Sequence, residues 1–238
     1  MDGMDAIVAQ ELVDRLAAFR SHVGRSSTAE RVADVLRGQL IEGALAPGSR
    51  LSEEAIGSAL GVSRNTLRES FRLLGHERLL VHEFNRGVFV ANPTADDVVD
   101  LYRARRPQEL AALRAAENAP EEALARVGEA VEQGERAHEN GDWWGVGTAN
   151  MHFHEAIAAL AGSPRVDEFV RRLLAELRLV FHVMSAPREF HAPYLGRNRE
   201  MYELLRAGRV DEAADRLAAY LDTAERQLVE AFTAQDNS

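Results

Sequence analysis

Leu60-Gly61-Val62-Ser63-Arg64-Asn65-Thr66-Leu67-Arg68-Glu69-Ser70-Phe71-Arg72-Leu73-Leu74 decides how this chain is read. Gly61 breaks one helix, and Ser63 is an N-cap residue that opens another running to about Gly75. Arg64, Arg68 and Arg72 recur every four residues and so form one stripe on that helix, with Asn65 and Glu69 beside it. Leu67, Phe71 and Leu74 fall on the opposite arc, the side that packs inward. A sharp turn leading into a helix with three Arg on one line is what a recognition helix needs. Its first turn enters the major groove, where guanidinium groups reach guanine edges or phosphates. Ser63 and Thr66 add hydroxyl donors for phosphate. On an ordinary surface helix the same stripe would be a solvated face, so the flanking elements have to decide between the two.

Upstream, Thr28 is placed to cap a helix that carries Val32, Val35, Leu36 and Leu40 at helical spacing and ends at Gly43. Ala46-Pro47-Gly48-Ser49 is a turn, and Ser52 caps a second helix through Leu60. Downstream, Leu79–Val81 and Val88–Val90 are short β-type runs around Glu83-Phe84-Asn85-Arg86-Gly87, which reads as a hairpin. Three helices followed by a hairpin make a winged helix-turn-helix, here over residues 26–92. Before it, residues 1–25 form an arm in which Ile7, Leu12, Leu16 and Phe19 share one side of a short amphipathic helix. That arm is either partly ordered or a docking or dimer contact.

After Asn92-Pro93 the texture changes to Ala-, Leu- and Arg-rich helix, with Thr94 as the first cap. Six helical segments are expected, near 95–117, 120–139, 143–161, 165–185, 195–207 and 210–233. They are separated at Pro120, Gly141, Gly162-Ser163-Pro164, Ala186-Pro187 and Gly208. No strand pattern appears, so residues 93–238 are expected to form an antiparallel helical bundle. Pro107 should kink its first helix. The fold class is mainly α: a winged helix-turn-helix followed by an all-α bundle of about six helices.

Bulk properties narrow the function. The 238 residues contain no Cys, which excludes disulfides, thiolate catalysis and Cys-ligated zinc. All 28 basic residues are Arg. The net charge of −10 looks wrong for a DNA binder until it is localised: residues 26–92 carry eight Arg and eight acids, residues 1–25 are net −1, and the remaining −9 lies beyond Pro93. A basic face on a neutral head can still meet phosphate. No apolar run approaches the roughly 20 residues of a membrane span. Asp2 and Asp5 stand where a signal peptide would be positive. A cytoplasmic protein without a membrane partner is expected. There is no phosphate-cradling glycine loop and no His-Glu-x-x-His, and the eight His are scattered, so no enzyme is expected.

The stretch Leu40-Ile41-Glu42-Gly43-Ala44-Leu45-Ala46-Pro47-Gly48-Ser49-Arg50-Leu51, followed by Leu60 to Glu69, resembles the GntR family of bacterial regulators. Arg86-Gly87-Val88-Phe89-Val90 matches that family's wing tip and closing strand. The resemblance covers about residues 28–92. It implies operator contacts from Arg50, Arg64, Arg68 and the wing glycine Gly87, with Arg86 beside it. Two positions depart from the pattern. Gly57 stands where Ala is usual, at some cost in helix propensity. Glu54 replaces an Arg that contacts DNA in some members.

Residues 95–230 are similar to the FadR-type ligand-binding domain, the FCD domain, in its smaller, VanR-like form. Tyr102, Arg105 and Glu109 match its opening helix, Asn150-Met151-His152-Phe153-His154 its second signature, and Leu204-Leu205-Arg206-Ala207-Gly208 the segment before its last helix. Members with a metal use an Asp and three His, and the resemblance places those positions at Asn150, His154, Asn198 and Tyr220. Amides and a neutral phenol are poor ligands for a transition metal, so no tightly bound metal is expected. The alternative is a weak divalent site on His154 and Asn150, completed by water and effector. Together with Arg105 these side chains would line a polar cavity suited to a carboxylate metabolite. Arg178 and His182, four residues apart, read as a solvated or interhelical polar pair, or as an approach to that cavity. His152 reads as a surface or interface residue, and Trp143-Trp144 as a packed helix start, with ligand stacking as the alternative. The resemblance implies a homodimeric repressor on a pseudo-palindromic operator, modulated by the effector. Alternatively, the bundle has lost effector and metal binding and only dimerises.

Overall fold

The computed structural model describes residues 27–183 and 187–236. The amphipathic segment holding Ile7, Leu12, Leu16 and Phe19 lies outside them. The chain divides at Asn92–Pro93 into two compact units.

The first unit opens with α1, Thr28–Ile41. Its cap is Ser27, one residue earlier than the expected Thr28. Ser27 Oγ accepts from the Glu30 backbone N–H while Glu30 Oε2 accepts from the Ser27 N–H at 2.9 Å, a reciprocal box that a cap at Thr28 would lack. Next come β1 (Arg50–Leu51), α2 (Glu53–Leu60, capped by Ser52) and α3 (Arg64–His76, capped by Ser63). Strands β2 (Leu80–Glu83) and β3 (Gly87–Val90) follow. The sheet order is β1-β3-β2, antiparallel throughout, with Arg50 opposite Phe89 and Glu83 opposite Gly87. The two-residue β1 is too short to show an alternation in the sequence. It exists because the wing's closing strand offers it a partner.

Leu36, Leu40, Ile56, Leu67, Leu74 and Leu79 form the centre of this unit, and Leu67 and Leu74 are completely buried. Each such side chain stabilises the fold by about 1.5–3 kcal/mol. Arg37 is also buried and grips Glu77 with two bonds of 2.7 and 2.8 Å. That pair ties α1 to the end of α3 and so sets the angle at which α3 is presented.

Among the described residues of the second unit there are six α-helices: α4 (Ala95–Arg114), α5 (Glu121–Glu139), α6 (Trp143–Ala159), α7 (Pro164–Val180), α8 (Pro187–Arg206) and α9 (Val210–Asp236). Short 3-10 turns follow α4 and α7. No helix among them is long and apolar enough to cross a membrane. Helix α6 packs against α4, α5, α7 and α8 and is buried nearly all round, as its largely apolar sequence allows. The spacing of residues starts the fifth helix of this unit at 195, but the structure starts it at Pro187. Proline is at ease in a first helical turn, and Pro193 gives up one intrahelical bond. Phe190, His191 and Tyr194, all buried, make this segment helical in spite of that loss.

Candidate functional site

Two groups of side chains stand out, one in each unit. In the first, Ser63 Oγ accepts from the Thr66 N–H at 3.1 Å and fixes the start of α3. With Leu67, Phe71 and Leu74 packed inward, Arg64, Asn65, Arg68 and Arg72 are left exposed along one side, and Thr66 is half-buried. The wing supplies the rest. Gly87 has φ +113, and a Cβ there would come within 3.3 Å of Arg50 Nε. The glycine is therefore required twice, by its backbone angle and by the guanidinium beside it. In this way Arg50, distant in sequence, reaches the wing tip next to Arg86.

Several of these cations rest on acids. Arg68 Nε lies 3.0 Å from Glu53 Oε2, Arg72 pairs with Glu69 at 2.6 Å, and Arg86 pairs with Glu83. Arg50 and Arg64 carry no ion pair among the described residues. Exposed pairs of this kind contribute about 0–1 kcal/mol each, so phosphate can displace the acid at little cost. The neutral net charge of the head thus reflects glutamates that hold the cations loosely.

In the second unit the four positions Asn150, His154, Asn198 and Tyr220 converge. Asn150 and His154 lie one turn apart on α6, Asn198 comes from α8 and Tyr220 from α9. Asn198 Nδ2 donates to Asn150 Oδ1 at 2.9 Å, and the Tyr220 hydroxyl donates to the same oxygen at 2.8 Å. That hydroxyl also lies 3.2 Å from His154 Nε2, and His154 Nδ1 lies 2.6 Å from Glu109 Oε2. Glu109 Oε1 accepts from Arg105 Nε at 2.5 Å. The result is one buried polar chain from α4 through α6 and α9 to α8.

Its electrostatics follow from burial and sequence position. Burial pushes the Glu109 carboxyl up, but Arg105 and then His154 outweigh it and hold it down at about 2. Glu109 is thus ionised, and the proton between it and His154 sits on Nδ1. Burial lowers His154 against the pull of Glu109, so the ring is neutral at pH 7 and Nε2 is its lone-pair nitrogen. Burial, then Tyr102 and Tyr194, raise Tyr220 well above the usual phenol range, so it stays protonated. Its single proton can serve either His154 Nε2 or Asn150 Oδ1.

This arrangement does not fit a transition metal. Asn150 Oδ1 already accepts two bonds, Tyr220 is a neutral phenol occupying the approach to His154 Nε2, and no group of three His, Asp or Glu is placed to hold an ion among the described residues. We expect EDTA, or added Zn²⁺ or Ni²⁺, to leave the melting temperature of the purified protein unchanged. A chelator-dependent drop of several degrees would contradict the donor chemistry.

Arg105 does not stand free at the cavity: Glu109 neutralises it, although its Nη2 lacks a partner. A second buried cation, Arg178, lies over the Trp144 ring at 4.3 Å and donates to Thr148 Oγ1 at 3.3 Å. Arg178 thus links α7 to α6, and His182, in the 3-10 turn after α7, meets the same Trp144 ring at 5.0 Å between centroids. His191, which sequence reasoning passed over, is 4% exposed and packs on Phe181 and Phe190. Burial, then Arg178, push it down to about 3. Its Nδ1 and Asn198 Oδ1 both lack a partner, and both residues line a small cavity of about 10 Å³ with Tyr194 and Asn150. The signal that could have found His191 is Gly147: a Cβ there would come within 2.6 Å of Arg178 Nη1 and 2.9 Å of His191 Nε2, so only glycine lets both approach α6. His152 bonds Gln133 at 2.8 Å away from this cluster, and Trp143 begins α6 as expected.

Comparison with known proteins covers both units. A model of the gntR family of bacterial regulatory proteins matches residues 28–90, and a model of the FCD domain matches residues 100–223, more than half of the chain. The HTH-type transcriptional regulator YdhC of Bacillus subtilis (strain 168) is 32% identical over 124 residues, 51% of this chain and 55% of that protein, so the match spans about half of that relative. The galactonate operon transcriptional repressor of Escherichia coli (strain K12) is 26% identical over 221 residues, 84% of this chain and 96% of that protein. Among solved structures, one described as a transcriptional regulator GntR from Rhodococcus sp. RHA1 is 47% identical, with a TM-score of 0.77 over 87% of this chain and 99% of that one.

Proposed function

Because the chain belongs to the GntR family of bacterial regulators, with an FCD domain following its winged head, and so is a DNA-binding transcriptional regulator rather than an enzyme, we propose that it is an effector-controlled repressor. The observation that carries this is the exposed Arg64, Arg68 and Arg72 stripe on a capped helix whose other face is locked into the core. Asn65 and the Arg stripe read base edges, Ser63 and Thr66 meet phosphate, and Arg50, Arg86 and the Gly87 backbone engage the flanking backbone from the wing. Two heads of a cytoplasmic homodimer meet two half-sites of a pseudo-palindromic operator.

The effector we propose is a small carboxylate, received beside Asn150, His154, Asn198 and Tyr220. Three things support it: the mixed donors and acceptors of that cluster, the unpartnered Asn198 Oδ1 and His191 Nδ1 next to it, and a relative that represses a sugar-acid operon. Since Glu109 already occupies Arg105, the carboxylate must displace that pair or draw on Arg178. A ligand preferring one arrangement of the helices needs a coupling of only about 1–3 kcal/mol to act as a switch. A second reading, in which the bundle only dimerises, is favoured by the small size of the cavity and the mutual satisfaction of the polar chain. A thermal-shift screen against gluconate, galactonate, dicarboxylates and acyl-CoA esters separates the two. A rise in melting temperature that Asn198→Ala removes supports sensing. Silence across the screen, with DNA binding and the dimer intact, supports the second reading.

A further inference from the structure

We propose that Phe84 is an apolar wedge that enters the operator's minor groove and unstacks a base step there. The inference rests on the DNA-binding reading of α3 and the wing given above. Phe84 is 86% exposed, whereas the other large apolar side chains at the surface of the described residues, Val81, Trp144 and Phe169, lie between 42% and 48%. Among the described residues it makes no ring contact, and it contributes nothing to the core. A hairpin turn needs only small polar residues, and Asn85, at φ +59, already supplies the left-handed position this one requires.

Its position is specific. Residues 84–86 form the wing tip between Glu83 and Gly87, closed by the Arg86 N–H donating to Glu83 O at 3.1 Å. The Arg86 guanidinium is drawn back, paired with Glu83 and lying 5.4 Å from the Phe89 ring centroid. Arg50 lies against Gly87 on the neighbouring strand. The most exposed apolar group of the wing is thus an aromatic ring at its tip, with the Arg86 and Arg50 guanidinium groups close by. That matches the chemistry of a minor groove, whose phosphate walls take the cations while the ring meets the stacked base edges. With α3 in a major groove, an adjacent wing whose four-residue strands each span roughly 13 Å can cross the phosphate ridge to the next groove. Insertion of an apolar side chain between base pairs kinks DNA and makes recognition depend on how readily a step unstacks, which favours pyrimidine–purine steps at positions no hydrogen bond reads.

The probe is a duplex enriched from a random-sequence pool by the full-length protein, with 2-aminopurine placed in turn at the steps flanking the α3 contact region. Wild-type protein should raise the fluorescence at one flanking step and bend the duplex in a circular-permutation gel. Phe84→Ala should weaken binding about tenfold, abolish the fluorescence rise and reduce the bend, while leaving the urea midpoint unchanged; Phe84→Leu should retain part of each effect. Unchanged affinity for Phe84→Ala overturns the proposal. So does a flanking step that stays dark with wild-type protein, or a variant that differs only in self-association. If instead no duplex is enriched, or Arg64→Ala/Arg68→Ala binds as tightly as wild type, the underlying DNA reading fails, and that failure is visible before Phe84 is tested.

Discussion

Glu109→Gln should destabilise the helical unit by about 3–5 kcal/mol, the range for removing one partner of a buried ion pair. Glu109 is fully buried between Arg105 and His154, and Arg105 is 1% exposed. Glutamine keeps the shape and can still accept from His154 Nδ1, so the loss isolates the uncompensated guanidinium charge. Arg105→Met in the same chain should therefore recover most of the loss, because no buried charge is left. Trp143 and Trp144 are the only tryptophans of the sequence and both lie on α6, so intrinsic fluorescence in urea reports the bundle without interference from the head. A loss of less than about 1 kcal/mol for the single variant, which is what an exposed pair contributes, would mean that the Arg105–Glu109 contact is not a buried ion pair.

Acid should be nearly as damaging. Burial and Arg178 put the folded His191 at about 3 against an ordinary 6.5, so the unfolded chain takes up a proton that the folded one refuses. Stability is full above pH 6.5 and falls as the pH drops toward 3, by roughly 5 kcal/mol in all. His154, also lowered, acts in the same direction as the pH falls below 6.5. Glu109, held at about 2 against 4.5, adds a further loss only between pH 4.5 and 2. The urea midpoint of tryptophan fluorescence should thus decline steadily from pH 7 to pH 4, and His191→Leu should flatten much of that slope. A midpoint constant over this range would show that these rings are not buried as neutral groups.

The head was largely legible in the sequence because its signals are local. Ser63 and Gly61 mark a turn, the Arg stripe and its apolar counterpart are spaced by the helix itself, and Gly87 announces the wing. What the sequence hid depends on partners distant in the chain. Strand β1 is visible only once β3 is beside it, and the start of α8 at Pro187 only once Phe190 and His191 are seen to be buried. In the bundle, the resemblance picked out Asn150, His154, Asn198 and Tyr220 as neighbours. Which of them bonds which, and that Glu109 takes up the charge of Arg105, depends on side chains from four helices meeting, and helical periodicity alone carries no information about that. Gly147 was one glycine among 17 until Arg178 and His191 were found against it.

The central claim is that the exposed face of α3 reads operator DNA. It is tested most directly by titrating an enriched duplex, at one fixed salt concentration, with wild-type protein and with Arg64→Ala/Arg68→Ala. Each Arg that reads a base is worth roughly 1–3 kcal/mol, so the double variant should bind about 30-fold to 10⁴-fold more weakly. Its melting temperature should be unchanged, since both side chains are exposed. Equal affinity of the two proteins for that duplex would contradict the account.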